Sequence, residues 1–112
     1  NLNNLVLLID YNKLQSLDYV EKWLILDPFE EKWKSFGWNV NSINGHNFKE
    51  IINSFNSAVN KKDGRPTCII ANTIKGKGIS FMENKVLWHY KSPSTNEYQD
   101  ALKELTNWEI LS

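Results

Sequence analysis

The chain has few of the residues that staple or ligate a fold: among its 112 residues there is one cysteine, Cys68, and there are two histidines, His46 and His89. A lone cysteine excludes an internal disulfide, and two histidines with one thiol cannot build a zinc-type cluster. Both absences fit a reducing, cytoplasmic setting. No charge of one sign predominates, because 13 Lys and Arg face 13 Asp and Glu for a net charge of +0. That balance argues against a nucleic-acid binder, whose affinity comes from a basic face tracking phosphates. The longest apolar run, Leu5–Ile9, is far below the ~20 residues that cross a bilayer, and no basic segment followed by a long apolar stretch opens the chain, so neither a membrane role nor export is expected. No serine or cysteine stands beside a histidine in a pattern suited to nucleophilic catalysis. Repeats and low-complexity tracts are absent. What is abundant is tryptophan: Trp23, Trp33, Trp38, Trp88 and Trp108 are many for one small domain, and they predict a large neighbour to pack against.

Leu5–Ile9 is apolar without alternation and ends at Asp10, the pattern of a parallel strand buried on both faces. A central strand so close to residue 1 predicts a chain that begins inside a domain, N-terminally truncated. Asp27-Pro28-Phe29-Glu30 supplies an N-cap acid, a proline at the first helical position and an N3 glutamate, and Gly37 closes that helix. Trp38–Ile43 alternates and reads as a second strand ending at the turn Asn44-Gly45. Asn47 with Glu50 then caps a helix whose Phe48, Ile51, Ile52, Phe55, Ala58 and Val59 share one face. Thr67–Asn72 is a third strand, again without alternation, and runs into a long glycine-bearing loop. Ser94 with Glu97 opens a last helix presenting Tyr98, Ala101, Leu102, Leu105 and Trp108. Strand, helix, strand, helix, strand, loop, helix predicts an α/β fold, a three-layer α/β/α arrangement on a parallel sheet, incomplete as a domain and with an open sheet edge.

Ligands bind such sheets beyond the carboxyl ends of the strands, here Asp10–Asn12, Ser42–His46 and Asn72–Gly76. Asp10 and Asn12, just past the first strand, either offer two oxygens to a hard cation such as magnesium or cap a turn; a cation needs about six oxygens, so this is a partial site. Lys75-Gly76-Lys77-Gly78 either brings backbone amides and an ammonium to a phosphate or is a solvated turn. His89, between Trp88 and Tyr90, is either a partly desolvated donor to an anion or a packing residue. His46 reads as a turn residue.

Taken together, Asn4–Gln15, Phe36-Gly37-Trp38, Asn44-Gly45-His46-Asn47, Arg65-Pro66-Thr67, Thr73–Gly78 and Trp88-His89 resemble transketolase in order and spacing over nearly the whole chain. The resemblance is closest to the N-terminal subunit of split transketolases, and it identifies residues 1–112 with the C-terminal half of the thiamine-diphosphate-binding domain. It implies two cofactors, thiamine diphosphate and Mg2+ or another divalent cation. In the family that cation is held by an aspartate of an upstream Gly-Asp-Gly motif, by an asparagine and by the carbonyl two residues beyond it. Asn12 and Leu14 match the last two. Asp10 matches an acidic position near the cofactor, Gln15 a cofactor-contacting glutamine, and Lys75 the loop that approaches the diphosphate. His89 matches the histidine at the reacting centre, which holds the cofactor and assists proton transfers on the sugar, so it is the catalytic candidate. Gly45-His46 belongs to the family pattern in a structural role.

The resemblance further implies transfer of a two-carbon ketol unit from a ketose or ketose phosphate to an aldose or aldose phosphate, a step of carbohydrate metabolism of the pentose phosphate type. The activating glutamate is expected on a pyrimidine-binding C-terminal subunit or domain, in a homodimer or heterotetramer, so these residues alone are expected to be inactive. Two departures from the family are Asn44 for a common aspartate and Tyr90 for a common glycine; the second narrows the donor end of the channel and points to a different sugar. The alternatives are a deoxyxylulose phosphate synthase, a sugar-modifying transketolase, a non-catalytic remnant or assembly module, and an unrelated small α/β ligand-binding domain. Trp88-His89 and Phe36-Gly37-Trp38 favour transketolase over the synthase.

Overall fold

A computed structural model of the chain describes residues 2–109, except for the side chains of 107–109. It divides into two compact units, one built from residues up to Asn12 with Leu24–Thr73, the other from Lys13–Trp23 with residues from Ile74 onward.

The first unit holds the sheet. Strands β1 (Val6–Tyr11), β2 (Asn39–Asn44) and β3 (Thr67–Asn72) pair in parallel in the order β1-β3-β2. β3 runs over the residues its apolar pattern predicts, and Cys68 and Ile69 are 0% exposed, as a strand covered on both faces requires. β1 departs from expectation. It is an edge strand among the described residues, with Leu8 49% exposed, so the strand buried on both faces is β3 instead. The unalternating pattern of Leu5–Ile9 calls for more cover than these residues supply. β1 also extends to Tyr11, which places Asp10 inside the strand opposite Ala71 and not beyond its end.

Helix α1 (Phe29–Ser35) begins one residue later than the sequence predicts. Pro28 is the N-cap and no side chain caps the helix among the described residues. Instead the Lys32 ammonium donates to the carbonyls of Ile25 at 3.0 Å, Leu26 at 2.7 Å and Asp27 at 3.3 Å, and so fixes the incoming chain. That tie spans up to seven residues and overrides the Asp27 cap signal. Tyr11, Phe29, Trp33 and Trp38 form a ladder with ring centroids 5.2, 6.3 and 5.1 Å apart, fastening α1 to the end of β1 and the start of β2. Each such pair contributes about 0.5–1.5 kcal/mol beyond its buried area. Gly37, at φ 83, ends α1 as expected.

Helix α2 (Phe48–Asn60) packs against β2 and β3. Its cap is the predicted one: Asn47 Oδ1 accepts from the Lys49 and Glu50 N–H groups at 3.0 and 3.2 Å. The apolar face is split, contrary to expectation. Ala58 is buried together with Ser54, whereas Phe48, Ile52 and Val59 are exposed. Ser54 is tolerated because its Oγ accepts from the Asn41 amide of β2 at 3.0 Å.

In the second unit, residues 13–23 form a small hairpin in which Leu14 pairs with Tyr19 in an antiparallel bridge and the Val20 N–H donates to the Lys13 carbonyl at 3.0 Å. A compact loop precedes a 3-10 turn, Val86–His89, and helix α3, Thr95–Glu109. The predicted Ser94/Glu97 capping box is present, with the Ser94 N–H donating to Glu97 Oε2 at 2.8 Å and the Glu97 N–H to Ser94 Oγ at 3.4 Å. Ala101 is buried and Tyr98, Leu102 and Leu105 are exposed; the side chain of Trp108 lies outside the described residues.

Two carboxylates make the fold acid-sensitive. Desolvation pushes Asp63 up, but hydrogen bonds from the Arg65 backbone, the Asn39 amide and the Arg65 guanidinium outweigh it and hold the group down at about 2. The Lys91 ammonium and the Ser94 cap hold Glu97 at about 2. A lowered folded-state pKa stabilises above the ordinary value, 3.8 for Asp63 and 4.5 for Glu97, and that stabilisation disappears as pH falls toward 2. Chemical denaturation of the full protein is expected to show stability falling between about pH 4.5 and 2. Asp63→Asn flattens part of that fall, and a pH-independent stability across the window would contradict the assignment.

Candidate functional site

The carboxyl ends of the three strands are cross-linked by polar side chains within the first unit. The Thr73 hydroxyl donates to Asp10, joining the residue after β3 to β1. The Thr73 N–H continues the ladder to the Tyr11 carbonyl at 3.3 Å. The Asn72 amide donates to Ser42 Oγ at 3.1 Å and to the Ile43 carbonyl at 3.2 Å, joining β3 to β2. Glu50, besides meeting Asn47 at 3.1 Å, accepts from the Asn44 N–H at 2.8 Å, so the cap of α2 also fixes the end of β2. The His46 N–H donates to Asn44 Oδ1 at 3.0 Å, an arrangement in which an amide serves as well as an aspartate.

Gly45 is held by contact. Its N–H donates to the Asn72 carbonyl at 2.8 Å. A Cβ there would collide with Thr73 Cγ2 and stand 3.1 Å from the Asn72 carbonyl oxygen. This is the structural role expected of the Gly45-His46 pair. Gly45→Ala is expected to destabilise by about 1–3 kcal/mol through overpacking. Adding Thr73→Ser, which removes the clashing methyl and keeps the hydroxyl, should restore part of the lost melting temperature. An undiminished Tm for the single variant, or no recovery in the double, would contradict this contact.

The candidate residues are distributed between the units. Asp10 and Asn12 stand at the end of β1 in the first; Asp10 is exposed and, among the described residues, its carboxylate takes the Thr73 hydroxyl. Leu14 and Gln15 lie in the hairpin of the second unit, where the Gln15 N–H donates to the Asp18 carbonyl at 2.8 Å. Lys75 opens the loop of that unit. The loop is already knotted by its own polar groups: Lys77 N–H donates to the Ile74 carbonyl at 3.1 Å, Gly78 N–H to Glu83 Oε1 at 3.1 Å, and Lys77 Nζ lies 3.4 Å from Glu83. Those amides are engaged within the loop. The Lys75 ammonium, in contrast, forms no ion pair among the described residues, and neither does that of Lys85 at the other end of the loop. His89 is exposed and not desolvated as its flanking aromatics suggest; the Tyr90 ring meets it edge-on, with centroids 4.6 Å apart.

Sequence reasoning does not find Thr73, Glu83 and Glu104. Their partners lie 63, 5 and 24 residues away, and only the Glu83 contact is near enough to leave a local signal. Among the described residues no group of three or more His, Cys, Asp or Glu is placed to hold a metal. The Asn12 amide nevertheless carries the kind of oxygen that a hard cation seeks. The Lys75 ammonium suits an anion.

A parallel sheet with polar, cross-linked carboxyl ends belongs to the α/β class that places ligands at those ends. The family is settled by comparison: residues 1–110 match the model of the transketolase thiamine diphosphate binding domain, and the chain belongs to that family. It is 41% identical over 104 residues to a 6-deoxy-6-sulfo-D-fructose transketolase subunit of Clostridium sp. (strain MSTE9), covering 93% of this chain and 38% of the relative. An apulose-4-phosphate transketolase subunit of Actinobacillus succinogenes is 38% identical, with 93% and 37% covered. Human transketolase is 33% identical, with 93% and 16% covered. The crystal structure of transketolase from Campylobacter jejuni shares the fold with a TM-score of 0.83 at 24% identity, over 93% of this chain and 16% of that one. The chain thus spans less than two fifths of these curated relatives. Among the described residues no helix is long and apolar enough to cross a membrane.

Proposed function

We propose that this chain is the part of a transketolase that holds the diphosphate end of thiamine diphosphate, in an enzyme that moves a two-carbon ketol unit from a ketose or ketose phosphate to an aldose or aldose phosphate. The observation that carries the reading is the family match over residues 1–110. The Asn12 side chain and the Leu14 carbonyl would hold Mg2+ or another divalent cation; Asp10, Gln15 and Lys75 would contact the cofactor. The cofactor supplies the means of breaking and remaking the carbon–carbon bond. His89 is the catalytic residue of this reading: its exposed imidazole holds a proton at the reacting end and passes it to or from a sugar hydroxyl. Tyr90, edge-on to His89, narrows the donor end.

A partner must complete the site, since the metal shell here is partial and the named subunits among the relatives imply more than one chain. That partner is the pyrimidine-binding subunit or domain, in a homodimer or heterotetramer. The buried free thiol of Cys68, which desolvation pushes up to about 11, suits a cytoplasmic enzyme. Relatives named for a sulfonated fructose and for apulose 4-phosphate support a donor outside the ordinary pentose series. They also favour transketolase over a deoxyxylulose phosphate synthase.

A second reading, an assembly module without chemistry, is favoured by one observation: large apolar side chains such as Trp23, 70% exposed, Ile25 and Phe36 lie open. Calorimetric titration of thiamine diphosphate and magnesium into the assembled full-length protein separates the two. Saturable binding is expected, weakened about 10–100-fold by Lys75→Ala, the loss of one charge-assisted contact, and at least as much by Asn12→Ala. In the same preparation Tyr90→Gly should broaden the range of ketose donors consumed. No binding by the assembled protein would overturn the enzyme reading in favour of the assembly module.

A further inference from the structure

The loop that carries Lys75 is held from outside itself at one place by a side chain of α3. Its base is closed by the Asn84 N–H donating to the Lys75 carbonyl at 3.0 Å, and Gly76, at φ 76, is pressed so closely on Met82 that a Cβ would stand 2.7 Å from the Met82 carbonyl oxygen. Its far side is fastened twice. The Trp88 indole N–H donates to the Phe81 carbonyl at 3.0 Å, and Lys91 lies over the same indole at 4.4 Å. Glu104 of α3 takes both donors of Ser80, the N–H at 2.5 Å on one carboxylate oxygen and the hydroxyl at 2.7 Å on the other. Each oxygen of one carboxylate is thus committed to one loop residue, a bidentate anchor of the strong, charge-assisted kind. Lys77 is neutralised inside the loop by Glu83, while Lys75, at the closed base, is left without an ion pair among the described residues.

We propose that Glu104 is a positioning residue for the cofactor diphosphate: by anchoring Ser80 it fixes the closed loop and so sets the place of the Lys75 ammonium. The inference rests on the reading of Lys75 given above. Glu104 does not touch the cofactor; its effect passes through Lys75. A long, flexible lysine on a fixed backbone loses less freedom when it meets a phosphate, so the anchor contributes to affinity by preorganisation.

The test is a double-mutant cycle on thiamine diphosphate affinity, measured by calorimetry with magnesium in the assembled full-length protein. Amide hydrogen exchange at Ser80 is followed in parallel. Glu104→Ala should raise Kd about five- to tenfold and speed exchange at Ser80. In the Lys75→Ala background the same change should add almost nothing, because the group it positions is gone. Glu104→Gln keeps an acceptor for one of the two donors and should fall between the wild type and Glu104→Ala, which covers the case in which the alanine variant does not fold. Equal penalties with and without Lys75 would show a general structural role and overturn the proposal. So would an unchanged Kd for both Glu104 variants while Lys75→Ala binds weakly. An unchanged Kd for Lys75→Ala would instead overturn the reading of Lys75 itself.

Discussion

Everything in the sheet-bearing unit depends on β3 being satisfied on all four sides. Its backbone is bonded in parallel to β1 on one edge and β2 on the other, residue for residue from Thr67 to Asn72. Its side chains Cys68, Ile69 and Ile70 form the buried centre of that unit. A strand in this position fixes where both neighbours end, because a one-residue slip would reverse every side chain. Asp10, Asn44 and Asn72 are therefore brought to the same end of the sheet, and the polar contacts there, Thr73 to Asp10 and Asn72 to Ser42, follow from that register. Gly45 is the steric consequence: where β2 turns away, the backbone passes so near Thr73 and Asn72 that no side chain fits.

The parts of this arrangement legible in the sequence are the local ones. The six-residue run of β3, the Asn47/Glu50 cap and the Ser94/Glu97 box are each written in a few adjacent residues, and the structure keeps all three. The start of α1 is not legible because Lys32 reaches back to three carbonyls, a bond no capping pattern contains. The face of α2 departs from its periodicity because Ser54, a polar residue, takes a core position through its bond to Asn41. At the candidate site, Asp10, Asn12 and Lys75 are legible as chemistry-bearing residues near strand ends. The contacts around them are not, because Thr73 to Asp10 and Glu104 to Ser80 are long-range and exist only after the chain folds. The flanking aromatics predict a shielded His89, but adjacent residues in a short 3-10 turn point in different directions, and the ring stays exposed.

The large exposed side chains are consistent with the proportion of the relatives that this chain represents. It spans 38% of a related subunit and 16% of human transketolase, and Leu8 of the edge strand, Trp23 and Phe36 are open. An uncovered apolar surface of this kind marks a place of interaction. In the function proposed above, Asn12 and Lys75 would each contribute to a cofactor site without forming one alone.

The central claim is that the carboxyl ends of the strands, with the loop that follows β3, receive the cofactor. Hydrogen exchange of the assembled protein, with and without thiamine diphosphate and magnesium, tests it most directly. The account predicts added protection at residues 10–15 and 73–84, with none at the amino ends of the strands near Val6, Asn39 and Thr67. Protection confined to those amino ends, or spread evenly over the chain, would contradict it.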